Sequence, residues 1–212
     1  MKKIVLTIAI ILGLGMTTFS QENSHGPSLP NFGQSVDFDS SSQNISLTTG
    51  WNWFSPNVEI TLDDLKAALT EALPDATSIT IKSQTQSTSY NGNGWRGALN
   101  TIDIALMYEI YAPESCTITL SGLPINPTEH PVTIVANGNT WIGFPLNESM
   151  SVTTAFAGLN PANGDIIKSK EGRTTFNGTI WRGTFTTLEP GQGYIYKSNA
   201  NEGKTFVFPS DR

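Results

Sequence analysis

The stretch Tyr90-Asn91-Gly92-Asn93-Gly94-Trp95-Arg96-Gly97 is written a second time as Phe176-Asn177-Gly178-Thr179-Ile180-Trp181-Arg182-Gly183. Around it Ile81-Lys82-Ser83 falls on Ile167-Lys168-Ser169 and Tyr108 falls on Tyr194, all at one offset of 86 (167 − 81, 181 − 95, 194 − 108). An offset held over that length marks an internal duplication, and it restricts the chain to two like-folded units. Each unit must then bury its own apolar face, and units of roughly 80 residues are marginal alone.

The local pattern is mostly that of strands. Asn44-Ile45-Ser46-Leu47 alternates into Gly50-Trp51-Asn52-Trp53-Phe54, and Thr77 to Ile81, Ser87 to Tyr90, Trp95 to Leu99, Met107 to Tyr111 and Cys116 to Leu120 follow. One helix interrupts them, with Thr61 as N-cap, Asp64 three residues on, and Leu62, Leu65, Leu69 and Leu73 at helical spacing until Pro74. The second copy repeats the order from Val132 through Phe206-Val207-Phe208, with Trp141 on Trp53 at an offset of 88 (141 − 53). Its helix, from Ser151 to Leu159, is expected to be short because Thr153, Thr154 and Gly158 are poor helix formers. The expected fold is therefore mainly β with one short helix per repeat: two tandem, pseudo-symmetric β-sandwich or barrel-like modules, at 45–122 and 132–212, joined by a linker at 123–131 and packed on one another.

Met1-Lys2-Lys3, the apolar run Ile4 to Met16 and the small polar residues up to Ser20 have the anatomy of a signal peptide over 1–20, with cleavage near Ser20-Gln21. Residues 21–44, rich in Ser, Asn, Gly and Pro, read as a flexible leader. The expected location is outside the inner membrane: secreted, periplasmic or at the cell surface. No later window is apolar enough to span a bilayer. With 12 Lys and Arg against 18 Asp and Glu the net charge is −6, which falls to −8 without Lys2 and Lys3. An acidic chain without a basic cluster has little means of neutralising phosphates, so nucleic acid is excluded as a partner. Cys116 is the one cysteine, so no intramolecular disulfide forms, and its strand position beside Ile118 and Leu120 makes it a buried thiol.

Catalytic patterns are absent. Two histidines, His25 and His130, assemble neither a triad nor a metal site, and Asp37-Phe38-Asp39-Ser40-Ser41 lacks the glycine and closing glutamate of a calcium loop. No cofactor or metal is implied. Asp103, Glu109 and Glu189 are the acids nearest the repeated region, and paired carboxylates are all that glycoside hydrolysis requires. A binding surface is the better expectation. Indoles stack on sugar faces and guanidinium groups donate directed hydrogen bonds, which makes Trp51, Tyr90, Trp95, Arg96, Phe176, Trp181 and Arg182 the candidate ligand-binding residues. For the Trp-Arg-Gly stretch itself the favoured reading is structural: a core tryptophan of a β module, with the arginine on the opposite face of its strand and within reach of a cross-strand aromatic such as Tyr90 or Phe176. Copy two has Asn139 where copy one has Trp51, so ligand contact is expected on copy one. Where copy two spells Pro190-Gly191-Gln192-Gly193, copy one has Ile104-Ala105-Leu106-Met107, and Ile104, Leu106 and Met107 are expected to pack against copy two or a partner chain.

The motifs GWNWFS, DIIKS, aromatic-Asn-Gly…Trp-Arg-Gly and LEPGQGYIYKS together resemble a tandem module of secreted and cell-surface proteins of Gram-negative anaerobes, over residues 45 to 209. The resemblance implies export and repetition, and it carries no catalytic residues across. The functions in view are an exported, non-catalytic binding or adhesion module for a glycan or protein; a structural spacer of a surface protein; and a small glycoside hydrolase. Oligomerisation is left open.

Overall fold

The computed structural model describes residues 40–210. The signal peptide, its cleavage point, the leader up to residue 39 and the Asp37–Asp39 part of the acidic loop lie outside the described residues.

Copy one begins with β1 (Ser41–Leu47), so strand structure starts inside the expected leader, three residues before Asn44. It continues with β2 (Gly50–Phe54), α1 (Leu62–Ala72), β3 (Ile79–Lys82), β4 (Ser87–Tyr90), β5 (Trp95–Gly97), β6 (Tyr108–Ala112) and β7 (Cys116–Gly122). Copy two runs β8 (Val132–Ile134), β9 (Asn139–Ile142), β10 (Met150–Ser151), α2 (Val152–Ala155), β11 (Ile166–Lys168), β12 (Arg173–Phe176), β13 (Trp181–Gly183), β14 (Thr187–Leu188), β15 (Tyr194–Lys197) and β16 (Lys204–Phe206). The sheet order β2-β6-β3-β4-β5 in copy one is repeated as β9-β15-β11-β12-β13 in copy two, and the ribbon β1-β7 is repeated as β8-β16. Register repeats as well. Trp53 faces Glu109 as Trp141 faces Ile195, and Tyr90 faces Trp95 as Phe176 faces Trp181. All pairings are antiparallel, and no sheet closes: β2 and β5 lie at opposite edges of one, β9 and β13 at opposite edges of the other. The barrel-like alternative is thereby corrected to two open, sandwich-like layers, since the β1-β7 and β8-β16 ribbons stay separate from the larger sheets.

Each copy closes its core differently. In α1 the Thr61 hydroxyl accepts from the Asp64 amide while the Asp64 carboxylate accepts from the Thr61 amide, and Leu62, Leu65 and Leu69 are buried. Those leucines meet Ile79, Ile81 and Ile110 of the sheet and Ile45, Ile118 and Leu120 of the ribbon. In copy two α2 is a single turn capped by Ser151, followed by a 3-10 turn over Ala157–Leu159. Phe156 replaces the missing helix surface. Its ring lies 5.3–5.9 Å from those of Phe206, Tyr196, Trp181 and Phe208.

The copies join through reciprocal backbone bonds. Ser55 N–H donates to the Gly191 carbonyl at 3.0 Å, and Gly143 N–H donates to the Ala105 carbonyl at 2.8 Å. The two bonds are equivalent under the repeat offsets (143 − 55 = 88, 191 − 105 = 86), so they are related by a pseudo-twofold. Ser55 Oγ adds a bond to the Gln192 carbonyl at 2.9 Å and accepts from the Phe144 amide at 3.0 Å. Of the apolar segment, Ala105 belongs to the core of copy two, and Met107 fills the space that a side chain on Gly193 would need. Ile104 is buried, with its carbonyl oxygen turned toward Gly143. Leu106 packs on the core of copy one, so its side chain serves its own unit, while its carbonyl oxygen also crowds Gly143.

Gly143 admits no side chain: a β-carbon there would stand 2.8 Å from the Leu106 carbonyl oxygen and 3.1 Å from Ser55 Cβ. Gly143→Ala is therefore expected to lower stability by about 1–3 kcal/mol through overpacking of backbone against backbone. Met107→Ala, which empties the space over Gly193, is expected to cost about 2–5 kcal/mol. Urea midpoints of the two variants against the parent chain check both.

Candidate ligand-binding face

The repeated motif is a hairpin before it is anything else. Asn91 Oδ1 accepts from the Asn93 amide and Asn177 Oδ1 from the Thr179 amide, each at 3.1 Å, while Gly92 and Gly178 take φ of +85° and +91°. The closing glycine of Trp-Arg-Gly is required by close approach, because a β-carbon on Gly97 or Gly183 would overlap the backbone of the neighbouring strand. The aromatic pairs point inward. Tyr90 and Trp95, 5.5 Å apart, pack on the core of copy one; Phe176 and Trp181, 5.3 Å apart, lie half-buried, with Trp181 against Phe156 and Tyr196. Arg96 and Arg182 point to the opposite face and are exposed. Among the described residues neither guanidinium lies over an aromatic ring.

The outer face near β2 has another character. The pleat places Trp51 and Trp53 of β2, Glu109 and Tyr111 of β6, and Thr80 and Lys82 of β3 outward. Trp51 is 45% exposed, and its ring meets Tyr111 edge-on at 5.5 Å across the strand pair. Lys82 Nζ sits 5.9 Å from the Trp51 ring and 5.4 Å from the ring of Trp141 in copy two, and is held by Glu109 at 3.2 Å. One ammonium thus bridges indoles of both copies. Arg96 shares this face, but three strands separate β5 from β2, so it stands roughly 19 Å away at the usual strand spacing. Trp51 and the Trp-Arg-Gly hairpin do not form one site.

At the same places copy two reads Asn139 for Trp51, Lys197 for Tyr111 and Ile195 for Glu109. The aromatic pair and the carboxylate that steadies the ammonium belong to copy one alone. The sequence points to Trp51. It does not point to Lys82, Tyr111, Glu109 or Trp141, because their meeting depends on cross-strand register and on the placement of one copy against the other. The one available signal was the outward parity of Lys82 and Tyr111 in their strands.

Of the acids considered for hydrolysis, Asp103 and Glu189 stand at turns and Glu109 lies in β6. Asp103 Oδ1 accepts from the Ala105 amide at 3.0 Å, and the Glu189 carboxylate accepts from Ser149 and Thr187. Their backbone amides donate to the Tyr108 and Tyr194 hydroxyls at 2.6 and 2.8 Å. Glu109 is engaged by Lys82. Cys116 is half-buried on the edge of the first core, and burial pushes its thiol up. Among the described residues no group of three or more His, Cys, Asp or Glu is placed to hold a metal ion, and no helix is long and apolar enough to cross a membrane.

Three buried tyrosines carry the titration behaviour of the fold. Burial pushes Tyr108 up to about 12 from the usual 10.0, and it pushes Tyr194 further. Tyr196 is raised by burial and by its 2.5 Å hydrogen bond to the Asp165 carboxylate, whose charge also opposes a phenolate. A folded-state pKa above the unfolded value means that folding favours the neutral phenol. That contribution is fully present below about pH 10 and is lost as pH rises toward the folded values, at about 1.4 kcal/mol per pH unit for each tyrosine. Urea midpoints are expected to hold steady up to about pH 10 and then fall steeply, with tyrosinate absorbance appearing together with unfolding.

No protein-family model matches the chain, and no curated protein or solved structure matches it.

Proposed function

We propose that the chain is an exported, non-catalytic binding module whose ligand is a glycan, held on the outer face of the first sheet by Trp51 and Tyr111. The observation that supports this is the divergence of two copies that share strand order and register: Trp51, Tyr111 and Glu109 occur at positions where copy two has Asn139, Lys197 and Ile195, while the lysine that Glu109 holds is kept in both. Among the large hydrophobic side chains exposed in the described residues, Trp51 is the one aromatic. An indole edge-packed on a tyrosine is a rigid, flat surface for the apolar face of a sugar ring, and the neighbouring ammonium and carboxylate supply a donor and an acceptor for its hydroxyls. The spacer reading draws on the Trp-Arg-Gly hairpins, which serve folding in both copies.

A glycan-array screen of the chain tests the proposal. Trp51→Ala is expected to weaken the identified glycan tenfold or more. It should shift the urea midpoint by no more than about 1 kcal/mol, the worth of one exposed aromatic pair and one exposed cation–π contact. Loss of stability without loss of binding, or a chain that retains no glycan at all, overturns it.

A further inference from the structure

The pseudo-twofold is also broken at the two turns that face the partner copy. In copy one the turn between β3 and β4 reads Ser83-Gln84-Thr85-Gln86, and in copy two the turn between β11 and β12 reads Ser169-Lys170-Glu171-Gly172. The two turns are bonded alike. Ser83 N–H donates to the Gln86 carbonyl at 2.8 Å and Ser169 N–H to the Gly172 carbonyl at 2.9 Å, and each serine hydroxyl accepts from the amides two and three residues on. Gln84 reaches across to the edge strand β9. Its Nε2 donates to the Asn139 carbonyl at 2.9 Å and its Oε1 accepts from the Trp141 amide at 2.9 Å.

That contact shows which backbone groups face outward. Because β2 pairs with β6 in the register in which β9 pairs with β15, the Trp51 carbonyl and the Trp53 amide point away from β6 as the Asn139 and Trp141 groups point away from β15. On this side, however, Lys170 stands in the place of Gln84. An ammonium has no acceptor for the Trp53 amide. Among the described residues no hydrogen bond from a loop or side chain reaches either group. A groove of about 290 Å³ opens beside the Trp53 end of this edge, bordered by Asn52, Trp53, Lys170, Glu171, the facing part of β1 and the 190–193 turn.

The fold uses the same device once more. Gln43 donates from Nε2 to the Ser55 carbonyl at 3.2 Å and accepts at Oε1 from the Asn57 amide at 3.1 Å, again spanning a carbonyl and the amide two residues later. Two carbonyl–amide pairs of extended backbone are thus closed by a glutamine carboxamide, and the pair on β2 is open. We propose that the edge of β2, at the Trp51 carbonyl and the Trp53 amide, is a binding site for a primary carboxamide, an Asn or Gln side chain presented by a partner polypeptide. A primary amide carries an N–H on the same side as its oxygen, so it can donate and accept toward one edge. The acetamido group of a sugar is a secondary trans amide with N–H and C=O opposed, and it cannot span both groups. This site is therefore distinct in ligand chemistry from the glycan face, and it stands or falls independently of it.

The test is a titration of the full chain, followed at the Trp53 backbone amide by proton–nitrogen NMR, with three probes: N-acetyl-glutamine N-methylamide, and the glutamate and alanine compounds with the same caps. The glutamine probe is expected to shift the Trp53 amide saturably, with an affinity at least tenfold above that of either control. The Lys170→Gln variant is expected to show the Trp53 amide already displaced and no longer responsive, since the turn then supplies its own carboxamide. Gln84→Ala is expected to create a second responsive amide at Trp141. An equal response to the alanine probe assigns the edge to peptide backbone, and an equal response to the glutamate probe assigns the groove to an anion on Lys170. Either result, or no shift at Trp53 with the glutamine probe, overturns the proposal.

Discussion

The molecule depends on a close approach of backbone to backbone at Ser55 and Gly143. At that point the strand ends of both copies meet the turn of the other, and the space available is less than a methyl group. Such contact satisfies amides and carbonyls that would otherwise be stranded where two modules bury each other, and an unpaired buried backbone group costs about as much as a lost hydrogen bond. It also sets orientation. The reciprocal bonds from Ser55 to Gly191 and from Gly143 to Ala105 hold the two sheets so that the β3–β4 turn of copy one overhangs β9 and the β11–β12 turn of copy two overhangs β2. The Lys82 ammonium between indoles of different copies follows from that placement.

Duplication separates what folding needs from what it does not. Many positions held in both copies point inward or control the chain path: Tyr108 and Tyr194 whose hydroxyls receive the Asp103 and Glu189 amides, Trp95 and Trp181 against their cores, and Gly97 and Gly183 against the neighbouring strand. Outward positions are mixed: Trp53 and Trp141, Lys82 and Lys168, and Arg96 and Arg182 are kept, whereas Trp51 has parted from Asn139, Tyr111 from Lys197 and Glu109 from Ile195. A residue under no packing demand is free to change within a few tenths of a kcal/mol. The copy that keeps a large exposed indole therefore keeps it against the cost of exposing apolar surface.

Much of this was legible in the sequence because it rests on short-range rules. Alternation located the strands, the Thr61…Asp64 capping box and leucine spacing located α1, and Thr153, Thr154 and Gly158 foretold a short α2, which is a single turn. The offset of Trp141 from Trp53 places both in equivalent registers. What stayed hidden is what long-range geometry decides. Ser41 to Gln43 read as leader because Ser and Gln carry little apolar signal, yet they pair with Leu120 to Gly122, and Gln43 is buried by its bonds to Ser55 and Asn57. Alternation alone sends Arg96 and Trp95 to opposite faces, but it does not give the three strands that stand between Arg96 and Trp51. Leu106 read as part of the joint between copies from its apolarity, but the joint uses Ala105 and Met107 on either side of it.

Open sheets present edges, and an exposed edge invites pairing with another chain. Here the outer edges β5 and β13 are three residues long and end in glycine, which leaves little template for pairing. The inner edges β9 and β2 are longer and face the partner copy, where a single carboxamide suffices to occupy the outward groups of β9. The β2 edge has the same shape without that occupant, beside the same turn with lysine in place of glutamine. Lysine at an edge repels further strands by charge and solvation, so Lys170 protects β2 from indiscriminate pairing while leaving its hydrogen-bonding groups unfilled. A chain that needed only to bury this edge had the solution already written in its first copy, and the second copy departs from it at the one side chain that matters.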